Sequence, residues 1–298
     1  MRLKHMSGVA ILATLFAAVT VSTAADDSGR SAPDAYFSLT QPAPLGHLAR
    51  SDGAAPVAGR LAEDAVADRQ SVDTFSSLED GQPGPPGKIQ VQFDLGWDTT
   101  SGKSDPILVQ PQLQYTPDCD DFSRNTQFTL VVPVEVGNGG IDGNADVELG
   151  WQQRWISDDG SVPTVSTLLE VRLPSGYQSA GVDAKLTGIV VKDFGPGSLY
   201  LNAWAETANG DNLEDLRHFQ WGFRTGYHWL INSEFALVAD YAHQASEETG
   251  HGNINLLELG GEWHVADNLT IGPGISIGLD DNEETPNFGA GVRVVWAF

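Results

Sequence analysis

The chain ends in Phe288-Gly289-Ala290-Gly291-Val292-Arg293-Val294-Val295-Trp296-Ala297-Phe298. Side chains of a β-strand alternate between two faces, so Phe288, Ala290, Val292, Val294, Trp296 and Phe298 share one of them. That face is apolar throughout and finishes on an aromatic ring. The same period of two begins at Lys88. Ile89, Val91, Phe93, Leu95 and Trp97 alternate with Gln90, Gln92 and Asp94. Ile107, Val109, Leu113 and Tyr115 follow, then Phe128, Leu130, Val132, Val134 and Val136 as one face of a third strand. Val147, Leu149, Trp151 and Trp155 make a fourth, and Val165 to Leu173 a fifth. A less regular sixth strand falls near Ala184 to Val191, and a seventh at Leu199 to Ala205 carries Tyr200, Asn202 and Trp204 on its second face. Phe219–Trp229, Phe235–Tyr241, Leu257–Trp263 and Leu269–Leu279 precede the terminal strand.

These roughly twelve strands are long enough to cross a hydrocarbon layer when tilted. The links between them alternate in kind. Asp193–Gly197, Ile231–Ser233 and Val265–Asn268 are short and turn-like, whereas Glu206–Arg217, Gln244–Gly252 and Asp280–Pro286 are longer, polar and acidic. Thr116–Arg124 is the exception, a longish link on the short-turn side. Aromatic residues gather on that same side, with Tyr115, Phe128, Trp155, Trp229, Phe235, Trp263 and Phe298 at strand ends on the apolar faces. A soluble sandwich has no reason to place rings at one end of alternate strands, but a membrane barrel needs them at the headgroup level. The sequence therefore predicts an all-β, up-and-down antiparallel transmembrane β-barrel of about 12 strands over residues 88–298. Tyr115, Trp155, Trp229 and Trp263 belong to its lower aromatic girdle. Phe298, the closing aromatic, is the expected assembly signal read by the outer-membrane barrel-assembly machinery.

Upstream of the barrel, Arg2, Lys4 and His5 precede an apolar run from Val9 to Val21 that is too short to span a bilayer as a helix. Ser22 and Ala24 supply small residues for cleavage, so 1–24 reads as a signal peptide and the destination as the bacterial outer membrane. Residues 25–87 are rich in Ala, Asp, Ser, Gly and Pro and end in Gly81-Gln82-Pro83-Gly84-Pro85-Pro86-Gly87. They are expected to form a poorly ordered periplasmic arm, or a partial plug inside the barrel.

Forty acidic residues against sixteen basic ones, a net charge of −24, exclude nucleic acid as a partner. Cys119 is the only cysteine, so no internal disulfide staples the fold. No nucleophile elbow, catalytic triad spacing or cofactor motif is present, and the expectation is a protein that is not an enzyme and carries no cofactor or metal.

The faces opposite the apolar ones would line the lumen. Arg154, Glu170, Arg172, Arg224, Asp240, Glu258, Glu262 and Arg293 fall there and are the candidates for a constriction, with His228, His243 and His264 also assigned inward. Unpaired Arg172, Arg224 and Arg293 around a gap would mark a channel. Paired charges filling the lumen would mark a closed barrel, because a charge away from water must be matched.

Two stretches carry a family resemblance. Leu168-Leu169-Glu170-Val171-Arg172-Leu173-Pro174-Ser175-Gly176 and Gly195-Pro196-Gly197-Ser198-Leu199-Tyr200-Leu201-Asn202-Ala203 resemble segments of the outer-membrane transporter family named for the meta pathway of phenol degradation. The first matches its strand running into Leu-Pro-Thr-Gly, with Ser175 in place of the threonine. The second matches its turn and strand reaching Leu-x-Asn. The resemblance covers residues 88–298 and implies passage of small hydrophobic or aromatic solutes, without energy coupling. The alternative is a structural barrel with a closed lumen whose acidic loops, Glu247-Glu248 and Asp280 to Glu284, contact lipopolysaccharide.

Overall fold

A computed structural model of the chain describes residues 78–99, 107–136, 143–144, 146–158, 160–175, 181–207, 217–246, 249–280 and 285–298. The signal peptide, most of the arm and the acidic residues 247–248 and 281–284 lie outside the described residues.

One antiparallel sheet contains every strand. In chain order they are β1 (Ile89–Thr99), β2 (Ile107–Tyr115), β3 (Thr126–Val131), β4 (Val134–Val136), β5 (Gly143–Asn144), β6 (Val147–Ile156) and β7 (Thr164–Leu173). There follow β8 (Asp183–Phe194), β9 (Gly197–Thr207), β10 (Phe219–Leu230), β11 (Phe235–Gln244), β12 (Ile254–Ala266), β13 (Leu269–Gly278) and β14 (Phe288–Ala297). From β6 to β14 successive strands pair with one another, β6 also pairs with β3, and β1 pairs with both β2 and β14. The sheet is thus closed, with twelve wall positions, because β3 and β4 are two pieces of one position and β5 is a short partner of β4. Closure satisfies the ladder groups that an open edge would leave facing lipid. The closing register sets Gln90 opposite Ala297 and Asp94 opposite Arg293, so the barrel begins and ends at the same rim.

The third wall position differs from the continuous strand predicted. Thr126–Val131 pairs with β2 and β6, but Val134–Val136 pairs only with β2 and β5. Pro133 has no N–H to continue the ladder, and the Val132 N–H turns to the Pro111 carbonyl at 3.1 Å. A second proline, Pro273 in β13, pairs with Val292 of β14, while the β12–β13 register passes from Gly260↔Gly274 directly to Trp263↔Ile271. At the short-turn rim, Gly195 takes a left-handed φ of 64°, which lets β8 reverse into β9 within Phe194–Gly197.

Burial follows strand parity in the inside-out sense of a membrane barrel. On β1, Phe93, Leu95 and Trp97 are exposed, while Gln92, Asp94 and Asp98 are buried. No described helix is long and apolar enough to cross a membrane.

Candidate functional site: the lumen wall and the segment inside it

Inward positions on adjacent strands assemble into ion clusters. The Arg172 Nε donates to Glu148 Oε1 on β6 at 2.8 Å, and its Nη1 lies 2.9 Å from Glu206 Oε1 on β9 and 3.8 Å from Asp183 Oδ2 on β8. Next to it, Lys185 Nζ lies 3.8 Å from Glu170 Oε2 and 5.1 Å from the centre of the Trp204 ring. Halfway round the wall, Arg224 Nη1 donates to Glu258 Oε2 at 2.8 Å and stands 3.9 Å from Asp240 Oδ1. Across the closing seam, Arg293 Nε donates to Asp94 Oδ1 at 2.7 Å. The other Asp94 oxygen accepts from Gln92 at 2.7 Å and Gln112 at 3.1 Å. His228 Nε2 and Glu262 Oε2 lie 3.1 Å apart towards the short-turn rim, the end that the sequence reading assigns to the periplasm. Each pair joins neighbouring or next-neighbouring strands, so the clusters brace the wall laterally as well as coating it.

Of the residues singled out from sequence, Glu170, Arg172, Arg224, Asp240, Glu258, Glu262 and Arg293 all stand on the inner face, distributed among five clusters and not one ring. Arg154 stands apart from them, its Nε and Nη2 donating to Asn125 Oδ1 at 2.8 and 2.6 Å beside the longest periplasmic link. His243 is a correction. It is three residues beyond the inward Asp240, so alternation puts it outside, where its ring lies 5.4 Å from that of Trp221 and 5.3 Å from that of Phe223. Asp94, Asp183 and Glu206 were missed as functional candidates, although Asp94 stands opposite Arg293 as soon as the first and last strands are paired. Trp155, Trp229 and Trp263 are exposed on the outer face at the periplasmic end, and Tyr115 pairs with Phe128 there. Phe298 stacks on Trp296 at 5.1 Å and donates its N–H to the Ile89 carbonyl.

Residues 78–87 run along the inside of the wall. Gln152 donates to the Asp80 carbonyl at 2.6 Å, Ser166 to the Gly81 carbonyl, and the Asn202 amide bonds the Glu79 main chain. The Gly84 N–H donates to Gln127 Oε1 at 2.7 Å. All four of these grips fall on the backbone of this strap. The fit is close on both sides. A Cβ on Gly81 would come within 3.0 Å of Thr164 Cγ2, and one on Gly226 of the wall within 2.5 Å of Leu78 Cδ1. Gly81 lies over Ile189 and Val191, which with Leu168 and Tyr200 form an apolar patch on the inner face. A second inner patch joins Ala242, Ile254 and Leu256. The Asp80 side chain itself points into open space, and partial desolvation by the enclosing wall raises its carboxyl to about 6. At the periplasmic rim, the Lys192 ammonium holds Asp158 below the usual carboxylate range.

The barrel has known counterparts in fold. It is similar to the crystal structure of the COG4313 outer membrane channel from Pseudomonas putida F1, with a TM-score of 0.61, 14% identity, and 74% of this chain and 98% of that one covered. The NanC porin aligns at a TM-score of 0.47 and 11% identity over 69% of this chain and 98% of that one. The translocator domain of the autotransporter NalP from Neisseria meningitidis aligns at 0.47 and 14%, over 72% and 89% respectively. No protein-family model and no curated protein sequence matches the chain.

Proposed function

We propose that this protein is an outer-membrane channel that passes small solutes by passive or facilitated diffusion. The observation that carries the reading is solvent access to ionic groups inside a closed wall. The Glu262 side chain is 44% exposed and that of Arg293 27%, although both point into the lumen. A core packed only for stability would leave no such space. The fold shared with an outer-membrane channel supports the reading, as do the leader expected from the sequence and the terminal Phe298, whose replacement by Ala should lower insertion into the membrane. The inner face carries apolar patches around Leu168 and Leu256, both buried here and the first lying under the strap. The motif resemblance to the phenol meta-pathway transporters favours solutes with an apolar or aromatic body.

A second reading keeps a specific observation. Arg172, Arg224 and Arg293 are all paired, and the strap occupies part of the lumen, as a closed structural barrel with lipopolysaccharide-facing acidic loops would have it. Proteoliposome swelling in isosmotic arabinose separates the two. A channel makes the vesicles swell faster than protein-free ones, whereas equal rates leave the closed barrel standing.

A further inference from the structure

We infer that the lumen selects positively charged solutes, because Arg172, Arg224 and Arg293 are each met by more than one acid; this rests on the channel reading above. Arg172 is shared among Glu148, Asp183 and Glu206. Arg224 is shared between Glu258 and Asp240. Arg293 is claimed by Asp94, with Glu79 of the strap and Glu262 of the wall also in electrostatic reach. Arg154, held by the neutral Asn125 beside the link before β3, is the exception to this pattern among these strand arginines. The excess is spread over both ends of the barrel, so it acts along the path and not at one spot.

The groups that solvent reaches carry the same sign. In the periplasmic half the open space is bounded by Asp80 of the strap and by Glu262, the latter the more exposed partner of its pair with His228 (44% against 21%). The strap, gripped by Gln152 of β6 and Asn202 of β9, brings Glu79 and Asp80 and no basic side chain. A conduit with low-dielectric walls and one sign of fixed charge concentrates counter-ions by about tenfold or more and repels co-ions. Apolar and acidic positions also alternate along single strands. Leu256 and Glu258 are successive inward positions on β12, as are Ala242 and Asp240 on β11.

The test is the reversal potential of the full mature protein in planar bilayers under a KCl gradient. The expected permeability ratio of potassium to chloride is about ten or more near 0.1 M salt, falling towards one near 1 M as screening shortens the reach of the fixed charges. Benzyltrimethylammonium should permeate better than benzenesulfonate, an ion of similar size and opposite charge. The variant Glu79→Gln, Asp80→Asn, Glu262→Gln removes two acids of the strap and the more exposed acid of the wall, and should lower the ratio by about threefold or more. A measurable current with a ratio at or below one, or a ratio that the triple variant leaves unchanged, overturns this inference alone. Absence of any current overturns the channel reading on which it rests.

Discussion

The outer and inner faces of the same strands answer to different rules. Outside, β12 shows Leu257, Leu259 and Trp263, each exposed and each interchangeable with another apolar residue of similar size. Inside, the same strand shows Glu258, fully buried, whose place is fixed by Arg224 two strands away. The outer face needs only hydrophobicity, since lipid adapts to whatever shape it meets. The inner face needs partners, since a charge removed from bulk water is costly until matched. One strand therefore carries a tolerant surface and an exacting one on alternate residues.

The most damaging way to test that contrast is to strip an inner partner. Arg224→Ala leaves Glu258 and Asp240 facing each other in the wall and should cost about 3–5 kcal/mol. Truncating Leu259 to Ala on the outer face, where lipid refills the gap, should cost far less. Urea titrations in lipid vesicles, followed by tryptophan fluorescence, compare the two; equal losses would erase the distinction. The converse substitution adds a charge. Ile275→Lys places an ammonium against lipid near mid-strand and should cost about 2–4 kcal/mol, whereas Gln112→Lys, set beside Asp94 in the lumen, should change stability little.

Smaller effects concern the strap. Gly81→Trp cannot fit against Thr164, Val191 and Ile189, so the strap should leave its seat and the conductance should rise, with the unfolding midpoint of the barrel unchanged. A fall in conductance would place the strap outside the conducting path. Acidification should act in the opposite direction and more gently. The Asp80 carboxyl is raised in the seated strap from the ordinary 3.8 to about 6, so seating takes up a proton between those values. Seating is therefore favoured as pH falls through about 6 and weakened above it, with Glu262, His228 and Asp193 as the charged groups that face Asp80. Conductance should decline from pH 7 to pH 5, and Asp80→Asn should flatten the decline.

The outer face was legible in the sequence because a period of two needs only the chain itself. Strand parity placed Arg172, Arg224 and Glu258 inward without knowledge of any neighbour, and the terminal Phe298 announced the closing strand. What the sequence could not yield was pairing across strands. Arg293 meets Asp94 across the seam where the first strand closes on the last, and Glu206 reaches Arg172 from two strands away. His243 was placed on the wrong face by a miscounted alternation from Asp240, an error that parity alone could have prevented. The break at Pro133 was visible as a residue, but not its consequence, since the preceding apolar run continued the period. The strap was hidden for another reason. Its grips are main-chain bonds from Gln152, Ser166, Asn202 and Gln127, and a backbone contact leaves no pattern in the side chains of the segment held.

The central claim, that a solute path runs through this barrel beside the strap, is tested most directly by single-channel recording of two forms in planar bilayers. One is the mature protein and the other begins at Lys88, without the strap. The account predicts discrete openings in the first and a conductance several-fold larger in the second. Silence of both forms at every voltage would contradict it.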